Sequence, residues 1–361
     1  FTVNAIAASL NRAQFGALSD PLDGQKDLEQ RILRTPLDPH QTFDDDPLRI
    51  MRAVRFAAQL EFEVEASVLA AAGEMRERLA IVSQERIADE FLKLMSTRCP
   101  SIGLQLMVET DVMAVVFPEI AQLAGVDQRQ DFHHKDVLRH TLKVVDNIAP
   151  LSANVWLRMA ALLHDVAKPK TKAFKEGIGW TFHGHEEAGA RMVKHIFRRM
   201  RFPMERVPYV EKIVRLHLRP MALVDSEVSD SAVRRMMFDA GPDVDDLMML
   251  CRADITSKNV KLVERVQRNY DLVIRKMAEV EERDRIRNWQ PPLRGEEIME
   301  LCGITAGPLV GILKDAVTDA ILDGIIPNDH DAAHTFLLSI KDDVVTGYRE
   351  GRIAKRPKAI N

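Results

Sequence analysis

A mainly α-helical protein of more than one unit is what this sequence predicts, on three observations. Apolar residues recur at helical spacing along most of the chain, with few runs of strand-like alternation. At 361 residues the chain is longer than one compact core fills, so two or more domains are expected. The composition, 46% hydrophobic and 29% charged with 6% aromatic, is that of a soluble, helix-rich protein.

From Phe1 to about Gly24 the pattern is short and mixed, and Asp20-Pro-Leu-Asp-Gly24 signals a turn. Asp46-Pro47 then predicts a strong helix start, because Asp is a favoured N-cap and Pro a favoured first residue. Ile50, Met51, Val54, Ala57, Ala58 and Leu60 supply its apolar side. Helices are predicted over Val68–Leu79, Ser83–Met95 and Ile102–Val116, the last stopping at Phe117-Pro118. A unit from about Asp131 to Arg265 holds eight of the eleven histidines, a density that marks it as a candidate site. A charged, heptad-like helix follows over Val263–Arg285, broken by Arg287-Asn-Trp-Gln-Pro-Pro292. Gly303, Gly307-Pro308 and Gly311 precede another helix, and the end is basic (Arg349, Arg352, Lys355, Arg356, Lys358).

A net charge of -4 excludes a uniformly basic nucleic-acid binder, so any RNA contact must use local patches. Cys99, Cys251 and Cys302 lie far apart, which fits a reducing, cytoplasmic compartment rather than a disulfide framework or a cysteine zinc site. No stretch approaches the ~20 apolar residues of a membrane span. The chain opens on Phe1-Thr-Val-Asn-Ala-Ile-Ala with neither a starting Met nor a basic leader, and is read as a fragment of a longer protein.

Phe43-Asp-Asp-Asp-Pro-Leu-Arg-Ile-Met-Arg-Ala-Val-Arg-Phe56 is the most informative segment. Asp46, Arg49, Arg52 and Arg55 recur every third residue at one helix start, drifting about 60° per step. Three arginines on one helix repel unless anions sit among them, and their forks suit phosphate. A carboxylate accepts from the exocyclic amine of cytosine or adenine while an arginine donates to the adjacent ring nitrogen; uracil and guanine reverse that order. Asp46 with Arg49 therefore suits selection of C and A without a template. The plainer reading is a capped helix with solvated arginines.

Phe1–Ala5, Asp20–Gly24, Arg34-Thr-Pro36, Asp45–Arg49 with Arg52 and Arg55, and Ser83–Glu90 occur in the order seen in class II CCA-adding tRNA nucleotidyltransferases. The whole chain resembles that family, nearest its bacterial members with an HD domain. Asp45 stands where Glu is more usual. The resemblance implies that Asp46 and Arg49 pair with the base of CTP or ATP. Arg52 and Arg55 would hold phosphates or ribose, and Asn4 would line the site. It implies a remnant of an α/β nucleotidyltransferase head over 1–35, neck and body helices over 36–125, an HD helical bundle over 126–265 and a tRNA-binding helical tail over 266–361. The family's catalytic carboxylates, which hold two Mg2+ ions, are expected upstream of Phe1, so this chain alone is expected not to add nucleotides.

His140, His164-Asp165, His183-Gly-His185, His217 and Asp254 form an ordered set on a helical background. Adjacent His and Asp project differently and are not helix-surface neighbours, so convergence is expected from separate helices. The pattern resembles the HD superfamily. By that resemblance His140, His164, Asp165 and Asp254 are ligands of a first divalent ion of unspecified identity, His185 and His217 complete a second site, and His183 is a nearby substitute. Satisfied core histidines are the alternative.

Arg198-Arg-Met-Arg201 and Lys168-Pro-Lys-Thr-Lys172 are basic clusters that contact phosphate or simply face solvent. Gly303, Gly307 and Gly311 let backbone N–H groups approach an RNA phosphate at a helix start, or merely join two helices. The leading expectation is tRNA 3′-end maturation by untemplated CCA addition. The alternatives are a poly(A) polymerase, a CC- or A-only adding enzyme, an HD phosphohydrolase or phosphodiesterase on RNA ends, and a non-catalytic RNA-binding fragment.

Overall fold

A computed structural model describes residues 1–126, 136–177, 179–224, 229–257, 259–284, 289 and 291–352. Asp131, Arg287, Lys355, Arg356 and Lys358 of the sequence reading lie outside them. Two compact units are formed, residues 1–217 with 249–258, and residues 218–248 with 259–361. Helix dominates both. Strands among the described residues are three short pairs: Ala7–Ala8 with Leu18–Ser19 (antiparallel), Ile32–Leu33 with Glu63–Val64 (parallel), and Ala173–Lys175 with Gly179–Thr181 (antiparallel). No described helix is long and apolar enough to cross a membrane.

The first unit begins with the Asp20–Gly24 turn. The Asp20 carboxylate accepts from the N–H groups of Gly24 and Gln25, both at 2.8 Å, and so launches the helix Gly24–Gln30. A Cβ on Gly24 would lie 2.3 Å from the Thr2 carbonyl oxygen, so only glycine lets this helix meet the first segment. Asp46 and Pro47 start the helix Leu48–Leu60: Asp46 is extended, its Oδ1 accepts from the Leu48 N–H at 3.3 Å, and Pro47 is already helical. The same Asp-Pro device at Asp38-Pro39 starts a helix not anticipated from the sequence, Pro39–Asp45.

Ile50, Met51, Val54, Ala57 and Ala58 are buried as the periodicity predicts, while Leu60, at the helix end, is half-buried. The segment Val68–Leu79 divides into a helix Ala66–Glu74 and a 3-10 stretch Arg76–Ile81. Ser83 precedes Gln84–Met95. Ile102–Val116 is not one helix but two, Pro100–Glu109 and Val112–Val116, because Asp111 adopts a left-handed conformation (φ 55°) between them.

Arg158, in the helix Val155–Leu163, is buried and donates to the carbonyls of Met95, Thr97 and Ala149 at 2.8 Å each and of Ser152 at 3.0 and 3.1 Å. Those carbonyls close the helices Gln84–Met95 and Val137–Ile148, whose last turns lack intrahelical donors. One guanidinium thus ties three helices together.

The second unit packs Gly295–Cys302, Pro308–Leu322 and His330–Arg349 around Leu293, Ile298, Leu313, Val317, Ile321, Ala333 and Leu337. The long charged helix runs over Val260–Asp284. Ion pairs link its elements: Arg235 to Asp319 and Asp323 at 2.8 Å each, Arg234 to Asp284 at 2.7 Å, and Asp230 to Lys276 and Arg283 at 2.7 and 2.6 Å.

Candidate functional site

The structure brings His140, His164, Asp165, His185, His217 and Asp254 together within the first unit. His140 lies inside the helix Val137–Ile148, and the other five stand at helix ends: His164-Asp165 after Leu163, His185 opening His185–Met200, His217 after Leu216, and Asp254 after Ala253. Helix ends leave backbone carbonyls within reach of the local ring. His164 Nδ1 meets Ala161 O at 2.7 Å, His185 Nδ1 meets Phe182 O at 2.8 Å, and His217 Nδ1 meets Val214 O at 2.6 Å. A carbonyl only accepts, so each Nδ1 carries a proton and Nε2 is the atom each ring turns inward to meet a cation.

Those atoms face each other. His164 Nε2 is 3.3 Å from His140 Nε2, and His185 Nε2 is 3.4 Å from His217 Nε2. Asp254 Oδ1 lies 2.8 Å from His140 Nε2 and 3.4 Å from His164 Nε2. Asp165 presents Oδ2 to His164 at 3.2 Å and Oδ1 to His185 at 3.3 Å. Imidazole nitrogens converging beside two buried carboxylates call for positive charge, and an N/O set of this kind suits a divalent transition metal. Two three-ligand groups result, His140/His164/Asp254 and Asp165/His185/His217, each with ligand atoms within 4.8 Å of one another. The residues fit a pair of divalent ions.

Electrostatics point the same way. Burial depresses the His164 imidazole, but Asp165 and Asp254 outweigh it and hold it up to about 10. Burial also pushes His217 down, to about 4, and the charge on His164 adds to the effect. Burial opposes ionisation of Asp165 and Asp254, yet the neighbouring imidazoles hold both carboxyls below their usual range.

Two sequence expectations need correcting here. Adjacent His164 and Asp165 do meet, because the helix stops at Leu163 and both side chains turn inward as the backbone leaves it. Asp165 faces both groups rather than the first alone. His183 is exposed on the turn before His185. Lys168, read from the sequence only as part of a basic cluster, holds Asp165 Oδ2 at 2.7 Å with its side chain 13% exposed. The signal available was its position three residues after Asp165, one turn on.

On the helix Leu48–Leu60, Asp46 faces Arg86 at 3.4 Å, while Arg49 donates to Thr42 O at 3.1 Å and lies 3.8 Å from Asp45. The anion among the arginines belongs to the chain itself: buried Glu90 takes Arg55 at 2.9 Å and Arg52 at 3.7 Å. Arg55 is 15% exposed and Arg52 42%. Arg86 and Glu90 are one turn apart on Gln84–Met95, so a single face of that helix steadies the acidic-arginine row. Asn4 is exposed on the turn Thr2–Asn4, and Phe1 packs edge-on against Phe56 at 5.6 Å.

Gly303 ends its helix in a left-handed conformation (φ 60°), with the Ile304 N–H bonded to Met299 O at 3.1 Å, a helix stop. Gly307 precedes the helix Pro308–Leu322, and a Cβ on Gly311 would meet open space. Of the basic clusters, Arg199 is tied to Glu119 and Arg201 to Glu85, while Arg198 and Lys170 are exposed.

Residues 61–123 match the family described as "Probable RNA and SrmB- binding site of polymerase A", and residues 137–259 match the HD domain. An A-adding tRNA nucleotidyltransferase of Deinococcus radiodurans is 32% identical over 89% of this chain and 73% of its own length. A CC-adding tRNA nucleotidyltransferase of Thermus thermophilus is 32% identical over 87% of this chain and 70% of its own. In fold, the Bacillus stearothermophilus CCA-adding enzyme in complex with CTP superposes with a TM-score of 0.64 at 22% identity, over 98% of this chain and 74% of that one. The chain belongs to the tRNA nucleotidyltransferase family.

Proposed function

We propose that the full-length protein matures the 3′ end of tRNA by untemplated addition from CTP and ATP, with Asp46 and Arg49 reading the incoming base. The observation that carries this is the separate anchoring of the two groups: Asp46 by Arg86, Arg49 by the Thr42 carbonyl. Held by different partners, a carboxylate and a guanidinium one turn apart remain available to the amine and ring nitrogen of C or A. Arg52, the more exposed of the two arginines on Glu90, is assigned with Arg55 to phosphate or ribose, and Asn4 to the lining of the site. Mg2+ serves the addition step. The match to an RNA-binding family over residues 61–123 supports tRNA contact by the body helices; of the tail glycines, Gly307 stands at a helix start where phosphate is met, whereas Gly303 gives its N–H to Glu300 O and Gly311 lies within the helix.

The experiment is incorporation of each nucleoside triphosphate by the full-length protein into tRNA lacking its 3′ CCA, followed by sequencing of the products. C and A are expected, and incorporation of U or G at comparable rates would overturn the reading. Because the two relatives are an A-adding and a CC-adding tRNA nucleotidyltransferase, the product sequence also distinguishes complete from partial addition.

The convergent histidines and aspartates favour a second activity, metal-dependent phosphoester hydrolysis at RNA ends. A divalent pair, when bound, supplies Lewis acidity that makes water a nucleophile near neutral pH. Asp165 positions both groups, the backbone carbonyls fix the imidazole tautomers, and Lys168 sets an ammonium beside the centre to neutralise a phosphate oxygen. Turnover of bis-p-nitrophenyl phosphate that requires added Mn2+ and is abolished by His164→Ala and by Asp165→Ala is the expected result; turnover unchanged in both variants refutes it.

A further inference from the structure

The pair of strands Ala173–Lys175 and Gly179–Thr181 joins the segment bearing Asp165 and Lys168 to the one bearing His185. It carries two large aromatics on its outside. Phe174 is 55% and Trp180 37% exposed, and their rings meet edge to face at 5.3 Å. The Lys172 ammonium lies 4.4 Å from the Trp180 ring centroid. Residues 168–181 contain Lys168, Lys170, Lys172 and Lys175 against one carboxylate, Glu176. Lys168 is taken by Asp165, and Lys172 stands over Trp180.

The hairpin is fastened to the centre. Thr181 Oγ1 donates to Ala173 O at 3.0 Å, which locks its two strands. The next residue, Phe182, gives its carbonyl to His185 Nδ1 at 2.8 Å, and the Lys168 ammonium lies 5.7 Å from the Phe182 ring. An exposed aromatic pair covered by a lysine therefore sits two residues from a carbonyl that orients a candidate ligand histidine.

Exposed aromatic faces interleaved with lysine are what a nucleobase and its phosphate require together. Stacking needs a ring of any kind, and the backbone needs positive charge. A protein partner would use the rings but has no need of the lysines. We propose that this hairpin is a base-stacking platform for the HD centre, so that the substrate is a single-stranded RNA 3′ end whose terminal phosphate reaches the metal ligands while an adjacent base lies on Phe174 or Trp180. This rests on the phosphoester reading of the centre.

The test uses the full chain and Phe174→Ala, Trp180→Ala and the double variant, in two arms. In the first, a 3′-phosphorylated oligoadenylate is titrated without added metal, and binding is read from tryptophan emission and, for the Trp180 variants, from anisotropy of a labelled oligonucleotide. The double variant is expected to bind about tenfold more weakly, the scale of one lost stacking contact. Equal binding by parent and double variant overturns the proposal, as does binding that a lysozyme-like protein mixture displaces but mononucleotide does not. In the second arm, Mn2+-dependent hydrolysis of 2′,3′-cyclic AMP is compared with that of the base-free glycerol 1,2-cyclic phosphate. The expected result is a KM raised about tenfold for the nucleotide with kcat little changed, and no comparable loss on the base-free substrate. An equal fall on both substrates makes the hairpin a support of the metal centre and overturns the platform. Absence of turnover by the parent removes the hydrolase reading alone, and the first arm then decides the platform.

Discussion

At Asp165 one carboxylate faces two groups of ligands, with Oδ2 toward His164 and Oδ1 toward His185. Asp165→Asn keeps the size of the side chain but halves its capacity to hold cations on both sides. Metal content after loading with Mn2+, measured by inductively coupled plasma mass spectrometry, is expected to fall by about half or more, whereas His183→Ala leaves it unchanged. Arg158 is a different kind of residue, with every contact spent on backbone carbonyls. Arg158→Met leaves those acceptors buried and unpaired. A loss of about 3 kcal/mol is expected in urea unfolding, with Arg158→Lys intermediate. The His and Asp residues were legible because their types and order are rare outside a site. Arg158 was not, since an arginine inside an apolar helix reads locally as a solvated charge. Glu90 and Arg86 were hidden for a similar reason: their roles depend on which face of a neighbouring helix they meet, and spacing alone does not reveal that.

Among the elements, starts were more legible than stops. Asp20 and Asp46 mark beginnings that the backbone follows, because a short polar side chain and a proline act within a few residues, and Ser83 marks a third without a hydrogen bond from its side chain. The break at Asp111 was invisible, because apolar periodicity continues across it and the left-handed residue is not glycine. The paired helices Leu48–Leu60 and Pro100–Glu109 approach so closely at Gly103 that a Cβ there would lie 2.6 Å from Val54 O and 2.5 Å from Leu94 Cδ1. Gly103→Ala is therefore expected to cost about 1–3 kcal/mol through overpacking, read as a lower thermal midpoint. Gly311→Ala, which meets open space, is expected to be neutral or stabilising by the same measurement.

For the molecule as a whole, the second unit is laced by exposed ion pairs. Hydrogen bonds from Lys276 and Arg283 hold Asp230 at about 2 against 3.8, and Asp284 and Asp323 are lowered too, chiefly by Arg283 and by Ser231 with Arg235. Depressed carboxyls stabilise the folded state above their unfolded pKa, and that contribution is lost as pH falls through the folded value. The second unit is expected to lose stability between pH 3.8 and about 2, less steeply in high salt, with Asp230→Asn flattening the dependence in circular dichroism titrations. The helical class and the family were legible at this scale, since periodicity and motif order extend along the whole sequence. The pairing of Arg235 with Asp319 and Asp323 was not, because those residues are more than eighty apart.

The central claim is that Asp46 and Arg49 stand in for a template base. Exchanging them, Asp46→Arg with Arg49→Asp, reverses the order of donor and acceptor. Incorporation by the full-length protein from the four nucleoside triphosphates into tRNA lacking its 3′ CCA measures the outcome directly. The preference for C and A over U and G is predicted to fall by at least about tenfold, with U and G gaining in relative rate. An unaltered choice among the four nucleotides, in a folded and active variant, would contradict it.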